Sequence, residues 1–253
     1  MAVALSELTA TFDRILEPSR FRDYAPNGLQ VEGRSEVQRL VSGVTACQAL
    51  VDAAAEAGAD AILVHHGYFW RNEAPVLTGM KRRRIAALLE ANISLFGYHL
   101  PLDAHPQYGN NATLAARLGI TSEAPLHPGD PAAVGNVGRL PAPTPVAVFL
   151  ETIERALDRE PLHVGDVSRR VERIAWCTGG AQGYIEAAVA AGADLYLTGE
   201  ASEQTVHVAR EEGIEFVAAG HHATERYGVQ ALGEAVAAEL GLEHQFIDID
   251  NPV

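Results

Sequence analysis

Four short stretches carry the residue types that bind metals and move protons: DAILVHHG (60–67), ISLFGYHLPLD (93–103), DLYLTGE (194–200) and FVAAGHHATE (216–225). Three of them end a strand-like apolar run on histidine. Two add a carboxylate four residues on, Asp103 after His99 and Glu225 after His221. In an α/β sheet, functional groups gather at the carboxyl ends of strands, where loops can aim side chains at a ligand. Imidazole mixed with carboxylate suits Zn, Fe, Mn, Ni or Co better than Ca, and there are enough donors for two divalent ions. A carboxylate bridging two cations offsets their repulsion, and such pairs, roughly 3.5–4 Å apart, activate a shared water for hydrolysis. The proton would pass to a carboxylate: Glu200, or Asp103 or Glu225 themselves. Binding a substrate, orienting a ligand or standing solvated beside the site are equally open to Glu200.

A lone histidine at a strand end usually makes an ordinary hydrogen bond. The doublet His65-His66 is more telling, because successive strand side chains diverge and both rings must bend toward one point. His105, His127, His163, His207 and His244 lack such a setting and read as structural or solvated. His222, beside His221, is a candidate orienting donor. Gly179-Gly180 resembles a phosphate-cradling turn, but it lacks the spaced glycines of a dinucleotide fingerprint and the Gly-Lys-Ser/Thr of a P-loop. Cys177, on a buried strand, reads as core.

The elements that must position these stretches alternate as an α/β chain. Helical spacing covers Leu5 to Leu16, with Pro18 past the stop. Strands follow at 28–33 and 39–46, a helix at 48–58, a strand at 60–66, a helix near 79–91, a strand at 93–99 and a helix over 110–118. The second half repeats the order: a helix over 146–157, capped by Thr144 and opened by Pro145, then strands at 161–166 and 173–179. A helix at 181–191, a strand at 194–199, a helix from 201, a strand at 214–220, a long helix to about 240 and a β-like run at 243–249 complete it.

The halves also match in residues. Val37 to Asp60 aligns without gaps on Val171 to Asp194 at a shift of 134, including Ala-Gly-Ala-Asp at 57–60 and 191–194. His99 to Gly119 aligns on His221 to Gly241 at a shift of 122, which pairs His99 with His221 and Asp103 with Glu225. The expected architecture is two similar α/β lobes related by internal duplication, with largely parallel sheets. The first lobe spans 1–126 and the second 127–253, with 120–145 a linker of Pro, Gly and short β segments and the metal site between the lobes.

Composition narrows the function. At 253 residues, 47% hydrophobic and 21% charged, the chain reads as a globular protein of one or two domains. A formal net charge of −14 disfavours nucleic acid, and the one basic cluster, Lys81-Arg82-Arg83-Arg84, is too small to outweigh it. Cys47 and Cys177 form no CxxC pair, which fits a reducing compartment. The first residues, MAVALSELTATFDRIL, lack the basic start of a signal peptide, and no 18-residue apolar run offers a membrane span. A cytoplasmic location is expected.

NGLQVEG (27–33), LVHHG (63–67), YHLPLDAH (98–105), GNNATLA (109–115), LTGE (197–200) and GHHATERYG (220–228) together resemble the Nif-three-like family of dinuclear-metal proteins, whose members are often named GTP cyclohydrolase I type 2 homologues. The resemblance covers essentially the whole chain, in the compact form without an extra domain between the halves. It implies metal ligands at His65, His66, Asp103, His221 and Glu225, with His99 at or beside the site. It also implies a toroidal homohexamer with the metals facing an internal cavity. Two functions follow as expectations. One is a metal-dependent hydrolase of a small molecule, for which the family name suggests a purine nucleotide. The other is a non-catalytic metal-binding hexameric assembly that docks partners.

Overall fold

The apolar spacing of Leu5, Leu8, Phe12 and Leu16 folds as the helix Leu5–Leu16 and buries all four side chains. This computed structural model describes residues 2–130 and 132–253; Met1 and Pro131, the latter within the expected linker, lie outside the described residues. The described chain forms two compact units, Met1–Leu102 with Gly228–Asp250, and Asp103–Tyr227 with Asn251–Val253. The division falls at 102/103 instead of the expected 126/127. Past Tyr227 the long helix His221–Leu240 belongs with the first unit, because the strand that follows it, Glu243–Phe246, pairs with Arg39–Thr45.

In the first unit the strand order is Glu243–Phe246, Arg39–Thr45, Ala61–His66, Ser94–Gly97, Gly28–Val31. Three of the four pairings are parallel, and only Gly28–Val31 runs antiparallel. Ala61 to Val64 and Ser94 to Gly97 are buried throughout, as strands covered on both faces require. Val41, Ile62, Val64 and Leu95 pack with Leu50, Val51 and Ala54 of the helix Gln48–Glu56 and with Ile85 and Leu88 of the helix Gly79–Ala91. Burying each large aliphatic side chain is worth about 1.5–3 kcal/mol.

The second unit's sheet runs Thr121–Pro125, Asn136–Pro145, Arg170–Trp176, Leu195–Thr198, Glu215–Ala218, Leu162–Val164. Here only the two pairings within Arg170–Trp176, Leu195–Thr198 and Glu215–Ala218 are parallel, and three are antiparallel. The added antiparallel strands are the segment expected to be a linker. Pro141, Pro143 and Pro145 are tolerated because Thr121–Pro125 pairs only with 136–139, leaving the proline-bearing stretch an open edge on that side. Thr144 does not cap the next helix. Its hydroxyl turns back to the Ala142 carbonyl, and Pro145 itself holds the N-cap position of Val146–Leu157. The helix expected over 181–191 is α-helical only at Ile185–Ala190, after a short 3₁₀ turn at Gln182–Tyr184.

The two sheets repeat one hydrogen-bonded device 134 residues apart. The Oδ2 of Asp60 accepts the backbone N–H of Gln38 and Arg39 at 2.8 and 2.9 Å. The Oδ2 of Asp194 does the same for Glu172 and Arg173 at 2.9 and 2.8 Å. Arg39 bonds the Ala57 carbonyl and Arg173 the Ala191 carbonyl, again in register. These matches support the sequence repeat at the level of individual bonds. No helix among the described residues is long and apolar enough to cross a membrane.

Asp60 also takes the Arg34 guanidinium at 2.6 Å, so truncation strands two amides and a cation at once. Asp60→Ala should lower the unfolding free energy by about 2–3 kcal/mol, read as a lower urea midpoint at unchanged slope. Asp60→Asn, which keeps an acceptor for the two amides, should lose less. Equal midpoints for all three proteins would contradict this role.

Candidate metal centre

Parallel strands deliver the first unit's imidazoles to one end of its sheet. His65 and His66 close the strand Ala61–His66, and His99 stands two residues past Ser94–Gly97. Their rings lie 4.5 Å (65 to 66), 5.1 Å (65 to 99) and 5.8 Å (66 to 99) apart, centre to centre. One ring nitrogen from each lies within 4.8 Å of the other two.

Each of the three rings is held at Nδ1. His65, 1% exposed, bonds the Tyr98 carbonyl at 3.0 Å. A carbonyl only accepts, so Nδ1 carries the proton and the lone pair is on Nε2. His66 Nδ1 meets the Thr45 hydroxyl at 3.2 Å, and His99 Nδ1 meets Asp23 Oδ1 at 2.7 Å. The acceptor-only partners of His65 and His99 fix the proton on Nδ1 and direct Nε2 to a cation, while the Thr45 hydroxyl, which can donate or accept, holds the His66 ring at Nδ1.

Asp23 is the most constrained of these anchors. Oδ1 also accepts the Tyr24 N–H, while Oδ2 accepts the Leu100 N–H and the Asn27 amide, each at 2.9 Å. The side-chain Oδ1 of Asn27 in turn takes the backbone N–H of His99 at 2.7 Å. Burial alone would raise the carboxyl's pKa, but the His99 imidazole, the Asn27 amide and the Leu100 N–H together hold it down at about 2. Trp70 closes the wall, its ring 5.1 Å from His99 and 6.0 Å from His66.

The second unit supplies the carboxylates. Asp103 and Glu225, 7% and 3% exposed, bring carboxylate oxygens within 4.8 Å of each other. Asp103 Oδ1 accepts the Asn110 amide N–H at 2.8 Å and the Thr178 hydroxyl at 3.4 Å. Asn111 bonds the Asp103 carbonyl at 3.1 Å and receives the Thr178 N–H at 3.1 Å. His221, opening the helix His221–Leu240, has Glu200 Oε1 2.6 Å from Nδ1 and Glu225 Oε2 3.3 Å from Nε2. Burial alone would lower this imidazole's pKa, but Glu225 and then Glu200 outweigh it and raise the value to about 9. A site that draws a proton so strongly is a site for positive charge.

Glycine is required at one point here. Gly179 adopts φ +69°, and a Cβ there would fall 2.1 Å from Glu225 Oε1 and 3.1 Å from His221 Nε2. The turn that resembled a phosphate cradle therefore faces carboxylates, Glu225 at Gly179 and Glu200 at Gly180, which repel an anion. Cys177 stays with the core: burial, then the charges of Asp103 and Glu225, push its thiol's pKa up, away from the nucleophilic thiolate.

The donor set fits divalent transition-metal ions on these observations: imidazoles held at Nδ1 and buried carboxylates, with a buried acceptor beside Asp103. That acceptor is Asn110 Oδ1, which has no hydrogen-bond partner among the described residues. An orphaned buried acceptor ordinarily costs about 1–3 kcal/mol. Spacing pointed to His65, His66, His99, Asp103, His221, Glu225 and Glu200 from the outset, and each stands with the neighbours just described. Asp23, Asn27, Asn110, Thr178 and Gly179 were not singled out for these roles. Asn27 and Asn110 carried only the signal of membership of NGLQVEG and GNNATLA, and Gly179 that of a Gly-Gly turn; Asp23 and Thr178 lie outside these stretches.

A family model described as Duf34/NIF3 (NGG1p interacting factor 3) matches residues 3–252. A protein of Pseudomonas aeruginosa named GTP cyclohydrolase 1 type 2 homolog is 60% identical over 100% of both chains. One of the same name from Escherichia coli K12 is 52% identical over 98% of both. A solved structure described as protein ybgI, of unknown function, superposes with a TM-score of 0.95 at 51% identity over 99% of this chain and 100% of that one. A structure from Thermus thermophilus, TTHA1606, follows at a TM-score of 0.88 and 33% identity, with 99% and 100% covered.

Two outcomes test the geometry. Asp23 ionises near pH 2 in the fold and, unfolded, near 3.8, so its stabilising effect is complete above about pH 4 and is lost as the pH falls toward 2. With its side chain 2% exposed, the effect is worth about 2 kcal/mol. Asp23→Asn should flatten that part of the acid-stability profile of metal-free protein; an unchanged profile would contradict the assignment. Gly179→Ala should lose about 1–2 kcal/mol from the left-handed backbone and weaken metal binding at least tenfold by displacing Glu225. Isothermal titration with Zn²⁺ reads the second effect, and wild-type affinity would refute it.

Proposed function

From the membership of this chain in the Duf34/NIF3 (NGG1p interacting factor 3) family, over residues 3–252, we propose that it is a dinuclear-metal protein acting as a hydrolase on a small molecule. The observation that carries this reading is the anchoring of His65, His66 and His99 at Nδ1, by acceptor-only groups at His65 and His99, which suits Nε2 of these rings to metal binding. In the proposal His65, His66, Asp103, His221 and Glu225 hold two divalent ions of the Zn, Fe, Mn, Ni or Co class. The pooling of ligands from both halves is part of it, on chemical grounds. Neutral imidazoles alone leave two dications' repulsion uncompensated, and the Asp103 and Glu225 carboxylates supply the missing negative charge. When bound, the ions polarise a scissile bond and acidify water at near-neutral pH.

The protein's own groups do the rest. Asp23 and Glu200 keep His99 and His221 oriented, each through a carboxylate oxygen on Nδ1. Glu200, its side chain 34% exposed, is the carboxylate we assign to the transferred proton. The name carried by the Pseudomonas aeruginosa and Escherichia coli relatives makes GTP the first substrate to try.

Metal analysis of protein prepared without supplementation should find two ions per chain. His65→Ala and Glu225→Ala should each lower the occupancy of both, since both sets of donors serve one centre; if each variant lost only a single ion and kept the other at full affinity, the pooled centre would be wrong. A panel of GTP, cyclic nucleotides and phosphodiesters should show turnover that Asp103→Ala abolishes. No turnover across the panel, with both ions bound, leaves instead the non-catalytic homohexameric assembly.

A further inference from the structure

Asp103 is the candidate ligand whose surroundings are most elaborately built, and Asn110 is the centre of that construction. Asn110 is the first residue of the helix Asn110–Leu118 and is 0% exposed. An asparagine at a helix start ordinarily caps backbone N–H groups. Here Gly109 holds the N-cap position without a side-chain bond, and the Asn110 amide is turned to Asp103 Oδ1 at 2.8 Å.

The orientation of that amide follows from chemistry. Rotating it by half a turn would set its carbonyl oxygen against the Asp103 carboxylate, acceptor on acceptor, so the NH₂ group must face Asp103. The same rotation fixes Asn110 Oδ1 as a fully buried acceptor with no hydrogen-bond partner among the described residues. A side chain kept only for packing gains nothing from that atom, and an apolar residue of the same size would serve better. The neighbouring Asn111 differs: its oxygen takes the Thr178 N–H and its amide the Asp103 carbonyl, so it is accounted for by the local fold.

We propose that Asn110 is a positioning residue for metal binding: by pinning Oδ1 of Asp103, with the Thr178 hydroxyl supporting the same oxygen, it fixes the rotation of the carboxylate that would hold a cation. Its role is exerted through Asp103 and on the affinity for metal, with little effect on the metal-free fold. The inference rests on the metal-binding reading above and deepens it.

The test is a double-mutant cycle on the full chain, titrating Zn²⁺ and Mn²⁺ against a competing chelator, with thermal unfolding of each metal-free protein alongside. Asn110→Ala should weaken metal binding by about 10–100-fold, the usual effect of removing a group that orients a ligand. It should leave the metal-free unfolding temperature close to that of wild type. In an Asp103→Ala background the same change should have no further effect on the remaining affinity, because its target is gone. Should Asn110→Ala not fold, Asn110→Ser and Thr178→Val act on the same oxygen and should each weaken binding in the wild-type background only. Wild-type affinity in these variants, or an equal loss with and without Asp103, overturns the inference. A lowered metal-free stability with unchanged affinity also overturns it and makes Asn110 structural. Failure of the underlying reading looks different: wild type binds no metal, or Asp103→Ala binds as wild type does.

Discussion

An imidazole has two nitrogens, and fixing a proton on one decides what the other can do. Four histidines here have Nδ1 engaged, by the Tyr98 carbonyl, the Thr45 hydroxyl, Asp23 and Glu200. That constraint explains why the parallel strand order matters. Thr45 closes the strand next to Ala61–His66, and Tyr98 follows the strand on its other side, so the neighbours that hydrogen-bond the backbone ladder also hold the rings. A shift of register by one residue would turn His65 and His66 to opposite faces and remove both anchors together.

The carboxylates work against stability until enough positive charge joins them. Asp103 and Glu225 are buried with oxygens within 4.8 Å of each other, and the Asn110, Thr178 and His221 groups stand among their neighbours. Two buried anions side by side normally force one to take a proton. Elsewhere the chain shows the structural alternative. Glu215, 1% exposed, is met by His163 at 2.8 Å, Arg169 at 3.1 Å and the Asp166 N–H at 2.9 Å, a cation and further donors for one anion. Asp103 instead meets neutral donors, an amide and a hydroxyl, and Glu225 meets an imidazole that is itself a candidate ligand. Under the proposed metal-binding reading Asp103 and Glu225 are held for a ligand, whereas the Glu215 contacts are those of a group held for the fold.

How much of this could be read from the chain depended on distance along it. The helices over 79–91, 110–118 and 146–157 follow from periodicity and local stops, and the structure places them there. The histidines were legible because each ends its own apolar run. Their anchors were not. Asp23 lies 76 residues from His99, and Thr178 lies 75 from Asp103, so no window of local sequence contains both partners. The proline-bearing strand Asn136–Pro145 was hidden for another reason: three prolines argue against a strand unless it has an unpaired side, and only the sheet reveals that it does. Thr144 was misread as a cap because threonine is favoured both at helix N-caps and in strands.

The repeat adds one more step. His99 and His221 occupy equivalent positions in the two halves, and each is held at Nδ1 by a carboxylate, at 2.7 and 2.6 Å. The carboxylates are not equivalent. Asp23 precedes the first strand of its sheet, in a stretch that the repeat does not cover, whereas Glu200 follows the strand Leu195–Thr198, where the first half has His66. Simple copying of one half would have brought the same anchor from the same place. Two sources converging on one geometry indicate that the pairing itself is what both positions require. A carboxylate on Nδ1 makes the opposite nitrogen a stronger donor and locks the ring's direction, and both effects matter to a cation.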